Sequence, residues 1–168
     1  MPWPFIPGET LTSTNLNDAT ISKNALCQLV QTGTQSINHN DVTPVAFTGE
    51  DLDPLGWHST SSLTERVVPT IAGWYRVTFS ASWSTDTDYT RLAIQVHING
   101  VALGAPSIGF DLIQEAAVAG GRIFGGSSPL ISCNGTSDYL SIAAYQTNTG
   151  GQANTVQCRL LVELVHPT

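Results

Sequence analysis

The stretch Gly73-Trp-Tyr-Arg-Val-Thr-Phe-Ser-Ala-Ser-Trp83 decides the fold class. Tyr75, Val77, Phe79, Ala81 and Trp83 fall on one face, and Arg76, Thr78, Ser80 and Ser82 on the other. Side chains of a β-strand switch faces at every residue, so such a run buries one face and wets the other. The stretch Thr90-Arg-Leu-Ala-Ile-Gln-Val-His-Ile-Asn-Gly100 repeats the pattern, with Leu92, Ile94, Val96 and Ile98 alternating with Arg91, Ala93, Gln95 and His97. Two half-wet strands of this kind predict an antiparallel sandwich.

Outward from these runs, turn residues separate further strand signals. Residues 25–32 read as a first strand, and 42–47 as a second whose Pro44 marks an edge or a bulge. Residues 63–68 read as a third, ending before Pro69. Asn99-Gly100 is the strongest two-residue hairpin signal, with 101–103 returning. Residues 110–119 read as a strand or a short helix, and the pairs Gly120-Gly121 and Gly125-Gly126 as a flexible loop. Residues 129–133 and 138–146 are expected to pair across Asn134-Gly135. Residues 155–165 close the chain, with Val156, Cys158, Leu160, Val162 and Leu164 on one face. About eight to ten short strands without a long helix predict an all-β, antiparallel β-sandwich of jelly-roll type.

The 168 residues suit one domain with a single core. Charged residues make up only 11% of the chain, and Ser, Thr, Asn and Gln supply the remaining polarity. Desolvating a hydroxyl costs less than desolvating a charge, so this surface suits an assembly. The net charge of −7 argues against nucleic acid, because phosphate contacts need clustered Lys and Arg. No window approaches the roughly 20 apolar residues of a membrane span, so no membrane insertion is expected. Met1-Pro-Trp-Pro-Phe-Ile-Pro-Gly8 lacks the features of a signal peptide. Cys27, Cys133 and Cys158 are odd in number and far apart, which predicts buried apolar residues rather than a disulfide framework.

Residues 1–24 differ from the jelly-roll domain expected over 25–168. Pro2, Pro4 and Pro7 favour an extended, polyproline-like lead-in. Thr12 or Ser13 could cap a short helical turn, with Leu11, Leu16 and Ile21 on one side. Trp3, Phe5 and Ile6 are too few for a core of their own. The segment is either a frayed terminus or an anchoring arm that docks Trp3, Phe5, Ile6, Leu11 and Leu16 onto a partner.

Reactive constellations are scarce. There is no Gly-x-Ser-x-Gly elbow and no Gly-x-Gly-x-x-Gly. His39, His58, His97 and His166 are isolated and read as surface or turn residues. Glu50-Asp51-Leu52-Asp53 and Asp86-Thr87-Asp88 lack the ligand spacing of a calcium loop and read as solvated loop tips. Asn134-Gly135-Thr136 fits the glycosylation tripeptide, which chance also produces. No catalytic, metal or cofactor residue is expected, and none of this points to an enzyme. Two tryptophans remain as ligand or interface candidates. Trp57 follows a turn and either stacks on a sugar, packs at a subunit contact or folds back onto the sandwich. Trp74 lies on the polar face of its strand, either under a neighbouring loop or at an interface.

These residues carry a resemblance. Val67-Val-Pro-Thr-Ile-Ala-Gly-Trp-Tyr-Arg-Val-Thr-Phe79 resembles the Pro-x-x-Gly-x-Tyr-x-Val-x-Phe segment of the C1q/TNF-like jelly roll, and Leu92 to Gly100 its next strand and turn. Thr43-Pro-Val-Ala-Phe-Thr48, with residues 53–58, is similar to a version of that domain found in bacteriophage virion proteins. The opening Phe5-Ile-Pro-Gly-Glu-Thr-Leu-Thr-Ser-Thr-Asn-Leu-Asn17 is similar to the start of phage fibre and baseplate chains. Residues 1–24 carry no collagen stalk, 110–128 fit the pattern poorly, and the closing strand ends with Glu163 and His166. The resemblance implies a homotrimer with apolar side chains meeting at a threefold axis. It further implies a non-enzymatic structural protein of a phage particle, a knob attached through its arm to other virion proteins as a tail or fibre accessory or a capsid decoration, assembled in the bacterial cytoplasm. The alternative is a carbohydrate-binding, host-adhesion module in which Trp57 or Trp74 stacks on a host-surface glycan.

Overall fold

The computed structural model describes residues 25–84, 89–103, 111–114 and 122–168. In chain order the described strands are β1 (Leu26–Val30), β2 (Gln35–Ile37), β3 (Thr43–Pro44), β4 (Gly49–Leu52), β5 (Gly73–Trp83) and β6 (Tyr89–Ile98). They continue with β7 (Val101–Ala102), β8 (Asp111–Gln114), β9 (Arg122–Ser127), β10 (Ile131–Cys133), β11 (Leu140–Asn148) and β12 (Asn154–Pro167). The first sheet is built on β5 and β12, paired from Val156 opposite Trp83 to Pro167 opposite Gly73. β9 and β10 share the outer edge of β5, β1 and β2 share the other edge of β12, and β4 pairs with β1. The second sheet runs β3-β11-β6, with β7 and β8 on the far edge of β6. From β5 onward the chain crosses repeatedly between sheets, and all pairs among the described strands are antiparallel, as in a jelly roll.

The core lies between the sheets. Cys27, Leu29, Tyr75, Val77, Val156, Leu160 and Val162 of the first sheet face Leu92, Ile94, Leu140 and Ile142 of the second, all at 1% exposure or less. Each buried large apolar side chain stabilises the fold by about 1.5–3 kcal/mol. The alternation in β5 and β12 is as expected, with the inward side chains buried. Asn99 and Gly100 both take positive φ, 53° and 78°, which is the type I′ turn that the Asn-Gly pair predicts. Pro44 does sit in an edge strand.

Four expectations are corrected. Residues 63–68 form no strand: Leu63 takes a φ of 51°, and only Val67 bridges to Leu140. Of residues 42–47 only Thr43–Pro44 pairs as a strand. Gly125-Gly126 lies inside β9, where a Cβ on Gly125 would come 2.7 Å from the Phe79 carbonyl oxygen, so this glycine permits close strand approach rather than flexibility. Ile131–Cys133 and Leu140–Asn148 are in different sheets, so the Asn134-Gly135 turn passes between sheets instead of closing a hairpin. The turn residue pair signals a reversal but not its destination. β2 and β4 are strands that the sequence reading missed, being short and polar. Of residues 110–119, Asp111–Gln114 is a strand. Residues 1–24, Asp86, Asp88, Gly120 and Gly121 lie outside the described residues.

Candidate interaction surface

The alternation that turns Tyr75, Val77 and Phe79 inward turns Trp74, Arg76, Thr78, Ser80 and Ser82 outward. Gln157, Arg159, Leu161 and Glu163 face the same way from β12. Strand register sets these side chains in rows across the sheet: Ser132, Trp74 and His166; Arg76, Glu163 and Leu26; Ser127, Thr78, Leu161, Gln28 and Leu52. Charges on this face are paired locally. Arg76 donates to Glu163 at 3.4 Å, while Arg159 and Gln28 both donate to Asp51, at 3.2 and 3.1 Å. Thr78 and Ser127 join their hydroxyls at 2.7 Å. Such exposed ion pairs stabilise the fold little, about 0–1 kcal/mol each, but they leave no net charge to desolvate. Trp74 is 42% exposed, Leu52 48% and Ile123 76%, and Val165 is exposed at the β12 irregularity between Leu164 and His166. Single exposed apolar residues are ordinary; four on one hydroxyl-rich sheet face make it the candidate interaction surface.

Trp57 is not part of it. Of the three alternatives the sequence leaves for Trp57, it folds back onto the sandwich and is buried to 2% exposure. Its ring meets Tyr75 edge-on, with centroids 5.6 Å apart, and its indole N–H donates to the Thr70 hydroxyl at 3.0 Å. No ring face is left for a sugar. The cause is local: the Asp53 carboxylate accepts the backbone N–H of both Trp57 and His58, and Gly56 takes a φ of +64°, which turns the indole inward. The side chain of the next residue is buried too. His58 places Nδ1 2.8 Å from the Glu50 carboxylate and Nε2 3.0 Å from the Thr64 carbonyl oxygen. These two contacts fix the ring between β4 and the 53–68 loop. Asp53 and Glu50 are therefore ties that hold the 53–68 loop; Glu50 is solvated as expected, but it lies in β4 rather than at a loop tip. An Asp-x-x-Gly-Trp-His spacing, in which a carboxylate can reach amides four and five residues on, was the available signal.

The three cysteines are free and buried, as expected. Burial pushes the Cys158 thiol up to about 12 and, with nearby Asp138 adding, Cys133 to about 12. Cys27 is raised by burial first, then by Asp53 and Glu50. They are held as thiols, poorly suited to nucleophilic or metal chemistry. Among the described residues no group of three His, Cys, Asp or Glu side chains could hold a metal ion, and no helix is long and apolar enough to cross a membrane.

No protein-family model matches the chain, and no curated protein matches it by sequence. Solved structures do. The globular domain of zebrafish complement 1qA protein superposes with a TM-score of 0.62 at 13% identity, covering 86% of this chain and 99% of that one. The Eiger TNF of S. frugiperda covers 83% of this chain and 92% of its own, with a TM-score of 0.49 at 14% identity. Murine APRIL covers 83% and 98%, with a TM-score of 0.49 at 14% identity. The fold is a C1q/TNF-like jelly roll.

Proposed function

We propose that this chain is a non-enzymatic, self-assembling structural module of a bacteriophage particle. Three copies associate through the outer face of the first sheet, and residues 1–24 fasten the resulting knob to other virion proteins of the tail or capsid. One observation carries the reading: the sheet built on β5 and β12, the longest strand pair among the described residues, presents hydroxyls, internally paired charges and exposed Trp74, Ile123, Val165 and Leu52 to the outside. Such a face loses little on desolvation and gains from apolar contact. The low charge of the chain and the resemblance of its opening to phage fibre and baseplate chains support the same reading. Three arms on one knob bind a threefold partner far more strongly than one arm, through effective concentration.

Sedimentation velocity tests the assembly: a trimer is expected, and a monomer at every concentration overturns it. Particles decorated with the full chain but not with a chain lacking residues 1–24 are expected from the arm; full occupancy by the truncated chain removes that role. The carbohydrate-binding alternative has lost Trp57 and rests on Trp74 alone. Saturable binding on a glycan array, abolished by Trp74→Ala, would favour it over the structural reading.

A further inference from the structure

The sequence contains two Asn-Gly pairs, Asn99-Gly100 and Asn134-Gly135, and both lie among the described residues. Such a pair carries a chemistry of its own. The glycine amide nitrogen can attack the asparagine Cγ, because glycine has no side chain to obstruct the approach or to limit the rotation it needs. The structure ties both pairs to one carboxylate. Asp138 Oδ1 accepts from Asn99 Nδ2 at 2.8 Å, and Asp138 Oδ2 accepts from the Asn134 N–H at 2.8 Å. The Tyr139 N–H donates to Asn99 Oδ1 at 3.0 Å, and the Asn99 N–H donates to the Tyr139 carbonyl oxygen at 3.0 Å. The turn between β6 and β7 is thereby clasped to the passage between β10 and β11.

We propose that Asn99 is a deamidation site, and that Asp138 makes its conversion a release of this clasp. The step consumes only water. The Gly100 nitrogen bonds to Asn99 Cγ, the Cγ–Nδ2 bond breaks, and ammonia leaves with the Gly100 amide proton. Water then opens the cyclic imide at the bond from nitrogen to Cγ, giving aspartate, or at the bond from nitrogen to the main-chain carbonyl carbon, giving isoaspartate. Either asparagine must first leave its partners, so the reaction waits on local opening. Asn99 gives up two side-chain bonds, to Asp138 and Tyr139. Asn134 gives up five: Oδ1 accepts from the amides of Thr136, Ser137 and Asp138 and from the Thr136 hydroxyl, and Nδ2 donates to Ser137. Gly100 is exposed, and among the described residues a Cβ there would meet only the Tyr139 hydroxyl. Gly135 is half-buried and packs on the backbone of Ile71 and Ala72. The products differ as well. Conversion of Asn134 keeps its acceptor oxygen and loses only the donation to Ser137. Conversion of Asn99 replaces the donor to Asp138 by a second carboxylate oxygen, and two carboxylates so close repel. The proposal rests on neither the trimer nor the particle.

The test ages the full chain in mildly alkaline buffer, folded and in urea, and follows both Asn-Gly peptides by mass spectrometry. Electron-transfer fragmentation separates aspartate from isoaspartate. In the folded chain Asn99 should convert about tenfold faster than Asn134 or more, since each further hydrogen bond to be opened slows the step. In urea the two should convert at similar rates. Equal or faster conversion at Asn134 in the folded chain overturns the site. So does an unconverted Asn99 over a period in which the urea-unfolded chain reacts. The release is read from variants. Asn99→Asp should lower the denaturation midpoint and speed hydrogen exchange at the Tyr139 amide. Adding Asp138→Asn exchanges donor and acceptor and should recover most of that loss, because the new amide donates to the new carboxylate and still accepts from Asn134. An Asn99→Asp chain as stable as its parent, or a double variant no more stable than Asn99→Asp alone, overturns the role of Asp138. If Asn99→Asp is too unstable to purify, a folded double variant supports that role and an unfolded one overturns it.

Discussion

Trp57 and Trp74 are the same residue type in opposite situations. Trp57→Ala removes a buried indole from the contact with Tyr75 and is expected to cost about 3–5 kcal/mol in urea denaturation. Trp57→Phe keeps much of the volume but loses the bond to Thr70, for a smaller loss of about 1–2 kcal/mol. Trp74→Ala, at an exposed position, should stay within about 0.5 kcal/mol of the parent chain. If Trp57→Ala proves as mild as Trp74→Ala, the indole is not a core residue. The cysteines make a pH prediction. Below their unfolded value of 9.0 both states hold the thiol proton, and stability does not depend on these groups. Above it the unfolded chain releases protons that the folded chain retains, so stability falls as pH rises from about 9 towards the folded values near 12. Denaturation midpoints between pH 8 and 11 check this, and Cys158→Ala should flatten the decline while lowering stability by a few tenths to about 1.5 kcal/mol at neutral pH. The sequence could announce the cysteines as buried, because they sit on the apolar side of alternating runs. It could not announce Trp57, whose neighbours Asp53, Pro54 and Gly56 signal a loop and say nothing of what the loop covers.

At the scale of elements, glycines and turns show how strands are joined. Gly125→Ala places a Cβ 2.7 Å from the Phe79 carbonyl oxygen and should loosen β9 from β5, lowering stability by about 1–3 kcal/mol. Gly33→Ala meets nothing within 4 Å and serves as the control, expected to be nearly neutral or slightly stabilising. Equal effects of the two substitutions in thermal unfolding would mean that β9 does not approach β5 so closely. Where local chemistry sufficed, elements were legible: β5 and the Asn99-Gly100 turn match expectation because alternation and positive φ are properties of adjacent residues. Where it did not, they were not. The Asn134-Gly135 reversal is held by Asn134 Oδ1 accepting from the amides of Thr136, Ser137 and Asp138, a local motif compatible with a hairpin or with a passage between sheets. β2 and β4 owe their extended form to pairing with β12 and β1, strands that carry the apolar pattern for them.

For the whole molecule, the prediction concerns the outer face. Leu161→Glu, in the central row between Thr78 and Gln28, should shift the sedimenting species from trimer to monomer while leaving the unfolding midpoint of the monomer almost unchanged. A trimer that survives this change would place the subunit contact elsewhere. The pairing of β1 with β12 joins the two ends of the described chain, so its closure must await long-range contact, and folding is expected in milliseconds to seconds rather than microseconds. Stopped-flow refolding measures this. The sequence by itself determined the all-β class, the two faces of β5 and β12, the I′ turn and the buried cysteines, because each follows from the order of neighbouring side chains. Only the tertiary structure decided that β10 and β11 lie in different sheets, that the 53–68 loop seals Trp57 and His58, and that Trp74 stands exposed. Those outcomes depend on which distant segments meet, and the free energy that selects the pairing is spread over the whole core.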